Sequence, residues 1–294
     1  MCFFHQNVQS LRSAFNRLQQ VANVHDIDFL AISEHWQTSE ELVNYTFPGY
    51  NLAASFCRNE RQHGGCALFV KSHYEFQARN DINSFSIPFV IECCASQIRL
   101  AKHNIILICI YRPETSTQNF KIFMDNLAQI LGICLRERAD VVLGGDFNID
   151  LISDSSRVKH FKSLLESFNL NITISSPTRI GNSSRTCLDN IITNVEGTST
   201  VLEEHLSDHS GQRFLFGVGG NVLGKRQMRQ VRDISSHTIQ TFLGKFSNDL
   251  WDEVFNFPVV DVNGMWNEFS SIFNKIIEES FPIKNIVIKT IIKK

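Results

Sequence analysis

The sequence predicts an α/β chain in which sheets pack face to face with helices outside. Strand-like apolar runs and stripes of helical spacing interleave along the chain, and several of the strand-like runs follow one another without a helix between them. Hydrophobic residues make up 43% of the 294, enough for a sizeable core, and Phe, present 24 times, outnumbers Tyr and Trp. Successive strands disfavour a purely doubly wound sheet, in which helices separate the strands.

Cys2–Gln6 reads as a short strand. Ser10 then caps a helix whose apolar face is Leu11, Phe15, Leu18 and Ala22. Phe29–Ser33 is short and continuously apolar, the pattern of a buried strand. Pro48-Gly49 and Gly64-Gly65 punctuate turns. Cys66–Val70, Phe89–Leu100 and Ile105–Arg112 are three successive strands, the last two joined by a turn at Lys102–Asn104. Thr117 caps a helix with Phe120, Phe123, Met124, Leu127, Ile130 and Leu131 inward. Val141–Leu143 is a buried strand running into Gly144-Gly145. Val158, Phe161, Leu165 and Phe168 form another helical stripe, and Leu188–Thr193 and Phe214–Val218 complete the strands.

Gly217–Gly220 with Gly224 reads as a linker, which divides the chain into residues 1–218 and a tail, 219–294. The basic run Lys225, Arg226, Arg229 and Arg232 is either a solvated part of that linker or a contact for a phosphate backbone. Two amphipathic helices follow, one bearing Ile239, Phe242, Leu243, Phe246 and Leu250, the other Trp266, Phe269, Phe273, Ile276 and Ile277. So short a tail makes a poor independent core and is expected to pack on something else.

Charge and cysteine content bound the function. Lys plus Arg is 28 and Asp plus Glu is 30, a formal net charge of −2. That excludes holding nucleic acid mainly by a large positive surface and leaves room for a local site. The 8 cysteines form no C-x-x-C and no zinc-type cluster. They read as small buried hydrophobes in a reducing compartment. Met1–Gln6 lacks the basic start and apolar stretch of a signal peptide, and no apolar run approaches the length of a membrane span. An intracellular location without membrane association is expected.

The chemistry-bearing residues lie where strands end. Gly144-Gly145-Asp146-Phe147-Asn148 follows a buried strand; in an extended chain Asp146 and Asn148 share a face while Phe147 points into the core. A carboxylate beside an amide can hold a water and a phosphate oxygen together, although the same residues also suit an ordinary Asp/Asn turn. Ser207-Asp208-His209 sets a carboxylate next to an imidazole, a pair able to serve a metal and a transition state. Glu34 ends the run Phe29–Ser33, where open α/β layers place ligand-binding groups; it could equally cap a turn beside His35 and Trp36. Asn7 follows the first strand, Tyr111-Arg112-Pro113 follows Ile105–Ile110, and Thr178-Arg179 precedes Thr186-Cys187-Leu188-Asp189-Asn190-Ile191. Six polar groups thus sit at six strand ends, in the order Asn7, Glu34, Tyr111, Asp146/Asn148, Asp189 and Asp208/His209.

That ordered set resembles the endonuclease/exonuclease/phosphatase superfamily, and within it most resembles the endonuclease domain of non-LTR retrotransposon polyproteins. The segments QNVQSLR, SEHW, YRP, GGDFNID, PTR with RTCLDNIITN, and SDHSG carry the likeness over about residues 2–218. The tail segments DLWDEVF and WNEFSSIFNKIIEESFP are similar to the stretch before the reverse transcriptase in such polyproteins.

The resemblance implies a four-layer α/β sandwich of two packed mixed sheets flanked by helices, with a helical tail. It also implies a Mg²⁺-dependent enzyme (Mn²⁺ being a possible substitute) that nicks DNA with activated water. Glu34 would be the main metal ligand with Asn7 and Asp208 nearby; Asp146 would orient or deprotonate the water and Asn148 assist it. Tyr111 would hydrogen-bond a phosphate oxygen, His209 would face the scissile phosphate, and Asp189 would hold its imidazole. Thr178, Arg179 and Thr186 would contact the DNA backbone. A hard divalent ion with few carboxylates suits that ligand set. The DNA substrate implies a nuclear location, and the tail implies a related longer product containing a reverse transcriptase. Asn7 comes almost at the start, which leads us to expect an abbreviated first strand. Ile286–Lys294 departs from the polyprotein pattern, as in a fragment or degenerate copy, and Thr186 stands where relatives often carry Ser. The same chemistry on a phosphoinositide or nucleotide, or a folded but idle remnant, are the competing readings.

Overall fold

The computed structural model describes residues 1–59, 63–100, 104–113, 116–181, 184–204, 206–217, 226–234, 236–246, 251–256, 258 and 261–289. The chain divides into two compact units, Met1–Gly220 and Asn221–Lys294.

The first unit begins with β1 (Cys2–Asn7), α1 (Leu11–Val24), β2 (Phe29–Ser33), α2 (Ser39–Leu42), β3 (Tyr50–Phe56) and β4 (Cys66–Lys71). It continues with β5 (Glu75–Ala78), α3 (Asn80–Asn83), β6 (Glu92–Arg99), β7 (Asn104–Tyr111), α4 (Thr117–Arg136), β8 (Asp140–Asp146) and α5 (Ser156–Ser167). Short strands β9 (Asn171–Ile172), β10 (Arg179–Ile180) and β11 (Arg185–Thr186) lead to β12 (Asp189–Thr193), β13 (Gly197–Leu202) and β14 (Gly211–Phe216).

Two mixed sheets of six strands result, in the orders β13-β14-β1-β2-β4-β3 and β5-β6-β7-β8-β12-β9, with β10-β11 a separate hairpin. Each central strand has apolar residues on both faces, as a sheet covered on both sides requires. Phe3, Phe29, Leu68, Leu107, Val142, Ile191 and Phe214 fill the space between the sheets. Phe4, Leu30, Ile32 and Phe69 turn outward to Leu11 and Leu18 of α1. On the far side Ile106, Ile108 and Leu143 meet Phe123, Leu127 and Phe161 of α4 and α5. The four layers are therefore helix, sheet, sheet, helix, as the sequence predicts. Seven cysteines are buried, Cys57 is intermediate, and all eight are free thiols. No helix among the described residues is long and apolar enough to cross a membrane.

Several boundaries differ from the sequence reading. Ser10 occupies the cap position of α1 but in a left-handed conformation (φ 104) with no side-chain cap. Instead the carbonyls of Glu34 and His35 accept from the amides of Ser10 and Leu11. Ser116, not Thr117, caps α4, its hydroxyl accepting from Asn119. The run from Phe89 becomes a strand only at Glu92 because Phe89 sits at φ 64 in a turn. β1 is six residues, as long as its partner β14, so it is not abbreviated relative to that neighbour. Of the expected turn at Lys102–Asn104, Asn104 is already the first residue of β7 and the rest, with most of the glycine-rich linker, lies outside the described residues.

The second unit contains β15 (Arg226–Arg232), α6 (Ser236–Gly244), α7 (Asp252–Phe255), α8 (Val262–Ser280) and β16 (Ile283–Lys289). The basic run is thus not a linker over Arg226–Arg232: it is a strand in antiparallel register with β16 along its whole length. Phe242 of α6 meets Phe273 of α8 edge to face at 6.1 Å, and Trp251 stacks on Phe269 at 5.3 Å. Leu250 lies outside the described residues.

Gly145 shows how tightly β7 and β8 approach: a Cβ there would come within 2.3 Å of the Ile110 carbonyl oxygen. The collision is with backbone, which has no rotamer to escape into. Gly145→Ala is therefore expected to destabilise the first unit by about 2–3 kcal/mol, measured as a lowered urea midpoint.

Candidate active site

The six strand ends converge. Tyr111 of β7, Asp146 of β8 and Asp189 of β12 lie in direct register across three adjacent strands of one sheet. Asn7 ends β1 in the facing sheet, beside β2, whose last residue precedes Glu34. The Asn7 amide nitrogen donates to Glu34 Oε1 and to Asp146 Oδ2, both at 2.8 Å, and so ties the two sheets together at this point. The turn before β14 is drawn in by Ser207, whose hydroxyl donates to the Asn7 carbonyl at 2.6 Å, and by Gln6, whose side-chain amide donates to the His209 carbonyl.

His209 Nδ1 lies 2.7 Å from Asp189 Oδ2 and 4.0 Å from Asp146 Oδ2. The same Asp189 oxygen accepts from the Thr178 hydroxyl at 2.9 Å, and that hydroxyl accepts from the backbone amides of Leu188 and Asp189. Thr178 is fully buried, so its side chain faces Asp189 and not solvent; the expectation of a backbone contact with DNA does not suit it. Arg179 pairs with the exposed Asp208 at 2.7 Å, and Asp208 Oδ1 stands 3.7 Å from His209 Nε2. Thr186, on the β10–β11 hairpin, accepts from the Thr178 amide through its carbonyl.

Asn148 departs from the spacing argument. The strand ends at Asp146, and Asn148 is left-handed at φ 46, so the two side chains do not share the face of one extended strand. Its backbone amide nevertheless donates to Asp146 Oδ1 at 2.9 Å, and its side-chain amide donates to the Arg112 carbonyl. Phe147 is in the core, as expected. The side-chain amide beside Asp146 is that of Asn7, contributed by the other sheet. Arg112, marked in the sequence only as part of Tyr111-Arg112-Pro113 and without a role of its own, is buried, and its guanidinium donates to the carbonyls of Phe147 and Asn148, shaping the turn after Asp146. Trp36, whose indole N–H donates to Glu34 Oε2 at 3.0 Å, carried no signal beyond its place in SEHW.

Electrostatics follow from this packing. Burial, with the Asp189 charge adding to it, raises Asp146 to about 7, against the opposing pull of His209 and the Asn148 and Asn7 donors. Burial alone would lower His209, but Asp189, with Asp146 and Asp208, outweighs it and holds the imidazolium to about 9. Burial and the neighbouring carboxylates of Glu34 and Asp146 push the Tyr111 phenol up, leaving it a neutral donor.

Asp146, Asp189 and His209 each bring a ligand atom within 4.8 Å of the others. His209 Nδ1 is already taken by Asp189 Oδ2, while Asp189 Oδ1 is buried without a hydrogen-bond partner among the described residues. Glu34 offers a half-buried carboxylate, the Asn7 amide oxygen accepts from the Gln9 amide at 3.2 Å, and the Asp208 carboxylate is paired with Arg179; oxygens of this kind suit a hard divalent cation better than zinc. Glu34 accepts from Asn7 and Trp36 with the Tyr111 phenol also against its carboxylate, and a carboxylate has lone-pair capacity for more than these.

A four-layer sandwich that gathers carboxylates, an amide and a carboxylate-held imidazole at its strand ends defines a metal-dependent phosphoester hydrolase. Residues 5–209 match the Endonuclease/Exonuclease/phosphatase family, and the chain belongs to that family. Comparison with curated protein sequences gives no match. Among solved structures, the endonuclease domain of TRAS1, a telomere-specific non-LTR retrotransposon, is similar at 17% identity and TM-score 0.58, covering 74% of this chain and 99% of that one. The 3'-5' exonuclease NExo from Neisseria meningitidis is similar at 16% identity and TM-score 0.57, covering 74% and 99%. The AP endonuclease LMAP from Leishmania major is similar at 14% identity and TM-score 0.57, covering 72% and 86%. At these identities the likeness is one of fold.

Both raised groups make cation-free stability pH-dependent with the same sign. Each favours the protonated form in the folded state, so its contribution is complete below the unfolded pKa and is lost as pH rises through the folded one. For Asp146 that window runs from roughly 4 to about 7, and for His209 from roughly 6.5 to about 9. Melting curves in chelator should therefore show Asp146→Asn flattening the lower window and His209→Gln the upper one. Thr178→Val, which strands the Leu188 and Asp189 amides, is expected to cost about 2–4 kcal/mol in urea unfolding.

Proposed function

We propose that the chain is a DNA-nicking endonuclease of retrotransposon origin, hydrolysing phosphodiesters with water activated at Asp146 and Mg²⁺ held by Glu34, Asn7 and Asp208. The observation that carries this is the continuous polar chain Glu34–Asn7–Asp146 beside the Asp189–His209 pair. A bound Mg²⁺, for which Mn²⁺ would substitute, supplies positive charge to the phosphate oxygens.

The chain's own residues do the rest. Asp146, at about 7, is matched to taking a proton from water near neutral pH. The Asn7 side-chain amide and the Asn148 backbone amide fix its orientation, and through that backbone amide Asn148 assists the water indirectly. His209 donates as an imidazolium to the phosphate, Asp189 stabilising the charge and Thr178 holding Asp189 in turn. Tyr111 adds a neutral hydrogen bond to a phosphate oxygen. Arg179 and Thr186, on the hairpin beside His209, engage the DNA backbone. In this reading residues 1–218 are the hydrolase domain. Residues 219–294 are a linker and helical tail of the kind that precedes a reverse transcriptase in a longer product. Action on DNA implies a nuclear location.

Supercoiled plasmid with Mg²⁺ tests the proposal. The protein should convert it to nicked circle, and Glu34→Ala, Asp146→Ala and His209→Ala should each lose at least about 100-fold in rate. Turnover of a phosphoinositide or a terminal phosphate without nicking would overturn the DNA assignment. No turnover at all from folded protein would identify an idle remnant.

A further inference from the structure

Glu34 and Trp36 both adopt left-handed backbone conformations, at φ 56 and φ 59, which residues with side chains seldom hold without a compensating contact. Their amides reach opposite to the glycine loop: Glu34 N–H donates to the Gly65 carbonyl at 2.8 Å and Trp36 N–H to the Gly64 carbonyl at 3.0 Å. That loop is anchored in turn, because the Gly65 amide donates to buried Glu92 at 2.6 Å and Glu92 accepts from Arg58 at 2.7 Å. The indole itself is stacked on His63, with ring centroids 3.9 Å apart and planes 13° apart. The main-chain bracing, independent of the stack, leads to one contact: the Trp36 N–H on Glu34 Oε2, opposite the Asn7 amide on Oε1.

We propose that Trp36 is a positioning residue for Glu34, fixing the plane of its carboxylate so that the site discriminates in favour of a small cation such as Mg²⁺ over Ca²⁺. This rests on the reading of Glu34 as the cation ligand. With a neutral donor on each oxygen, the carboxylate cannot swing to suit a larger ion. Mg²⁺ needs near-ideal octahedral geometry, whereas Ca²⁺ tolerates flexible ligands, so ligand rigidity is one of the properties that separates them. Neutral donors also leave the full negative charge for the cation, which a lysine or arginine in the same place would cancel.

Calorimetric titration of the full chain with Mg²⁺ and with Ca²⁺ tests this. Glu34→Gln should abolish Mg²⁺ binding. Trp36→Phe keeps a ring for His63 and removes the donor; it should weaken Mg²⁺ by about tenfold while changing Ca²⁺ by less than about threefold. His63→Ala, which removes the stack and leaves the N–H, should keep the Mg²⁺/Ca²⁺ ratio within about twofold. If Trp36→Phe weakens both ions equally, or neither, Trp36 does not select the ion and the inference falls alone. Mg²⁺ binding that Glu34→Gln leaves intact would instead remove the metal assignment, and this inference with it. Should Trp36→Phe melt early, a benzothiophene isostere of the indole at position 36 removes only the N–H and carries the same expectation.

Discussion

A single side-chain amide joins the two halves of the sandwich at the place where chemistry is expected. Asn7 belongs to one sheet, Asp146 to the other, and Glu34 to the turn leaving the strand beside Asn7. Two carboxylates held toward one another repel, and they repel more in a partly buried cleft than in water. The Asn7 N–H groups bridge them, and the remaining oxygens are restrained by the Asn148 amide and the Trp36 indole. The relative position of the sheets therefore sets the separation of the acids. Anything that alters sheet packing, such as a side chain at Gly144 where Phe3 and His5 approach, alters the site as well.

The same constraint separates the chemistry of Asp189 from that of Asp146. Asp189 is neutralised locally by His209 and steadied by Thr178, so it acts as a counter-ion. Asp146, one strand away, has no such partner at full hydrogen-bond distance: His209 is 4.0 Å off, and neutral amides supply its contacts. Its charge is the one that burial penalises, which is why its pKa approaches the working range of a base while its neighbour serves the imidazole. Two buried carboxylates on adjacent strands thus acquire different chemistry because the histidine enters 2.7 Å from one and 4.0 Å from the other.

How much of this the sequence showed depended on whether a feature was written in hydrophobicity or in tertiary contact. Central strands such as Phe29–Ser33 and the helix stripe from Phe120 to Leu131 are continuous or periodic, and both are where the pattern puts them. Edge strands escaped notice: β5 is largely exposed, β13 is rich in small polar residues, and β3 carries a register shift between Leu52 and Ala54 that breaks its alternation. The pairing of β15 was hidden because its partner lies some fifty residues on and its own residues are largely basic and polar. At the site, motif order marked the acids, the amides and the imidazole, since each ends or begins a strand. Thr178, Arg112 and Trp36 were misplaced or passed over, because their contacts cross the fold and leave no local spacing to read.

The donors around the acids show why this cluster suits a cation instead of an internal ion pair. Arg112 is close at hand and buried, yet its guanidinium organises the carbonyls of Phe147 and Asn148. Glu34 and Asp146 are oriented by an asparagine, an indole and a main-chain amide, none of which carries charge. A cationic side chain in those positions would bind the carboxylates more strongly and leave little attraction for a metal or for the positive charge a phosphate reaction requires. Neutral donors give up some stability to leave the charge uncompensated. At Glu34 and Asp146, next to the Asp189–His209 ion pair, that imbalance leaves negative charge that a divalent ion would meet.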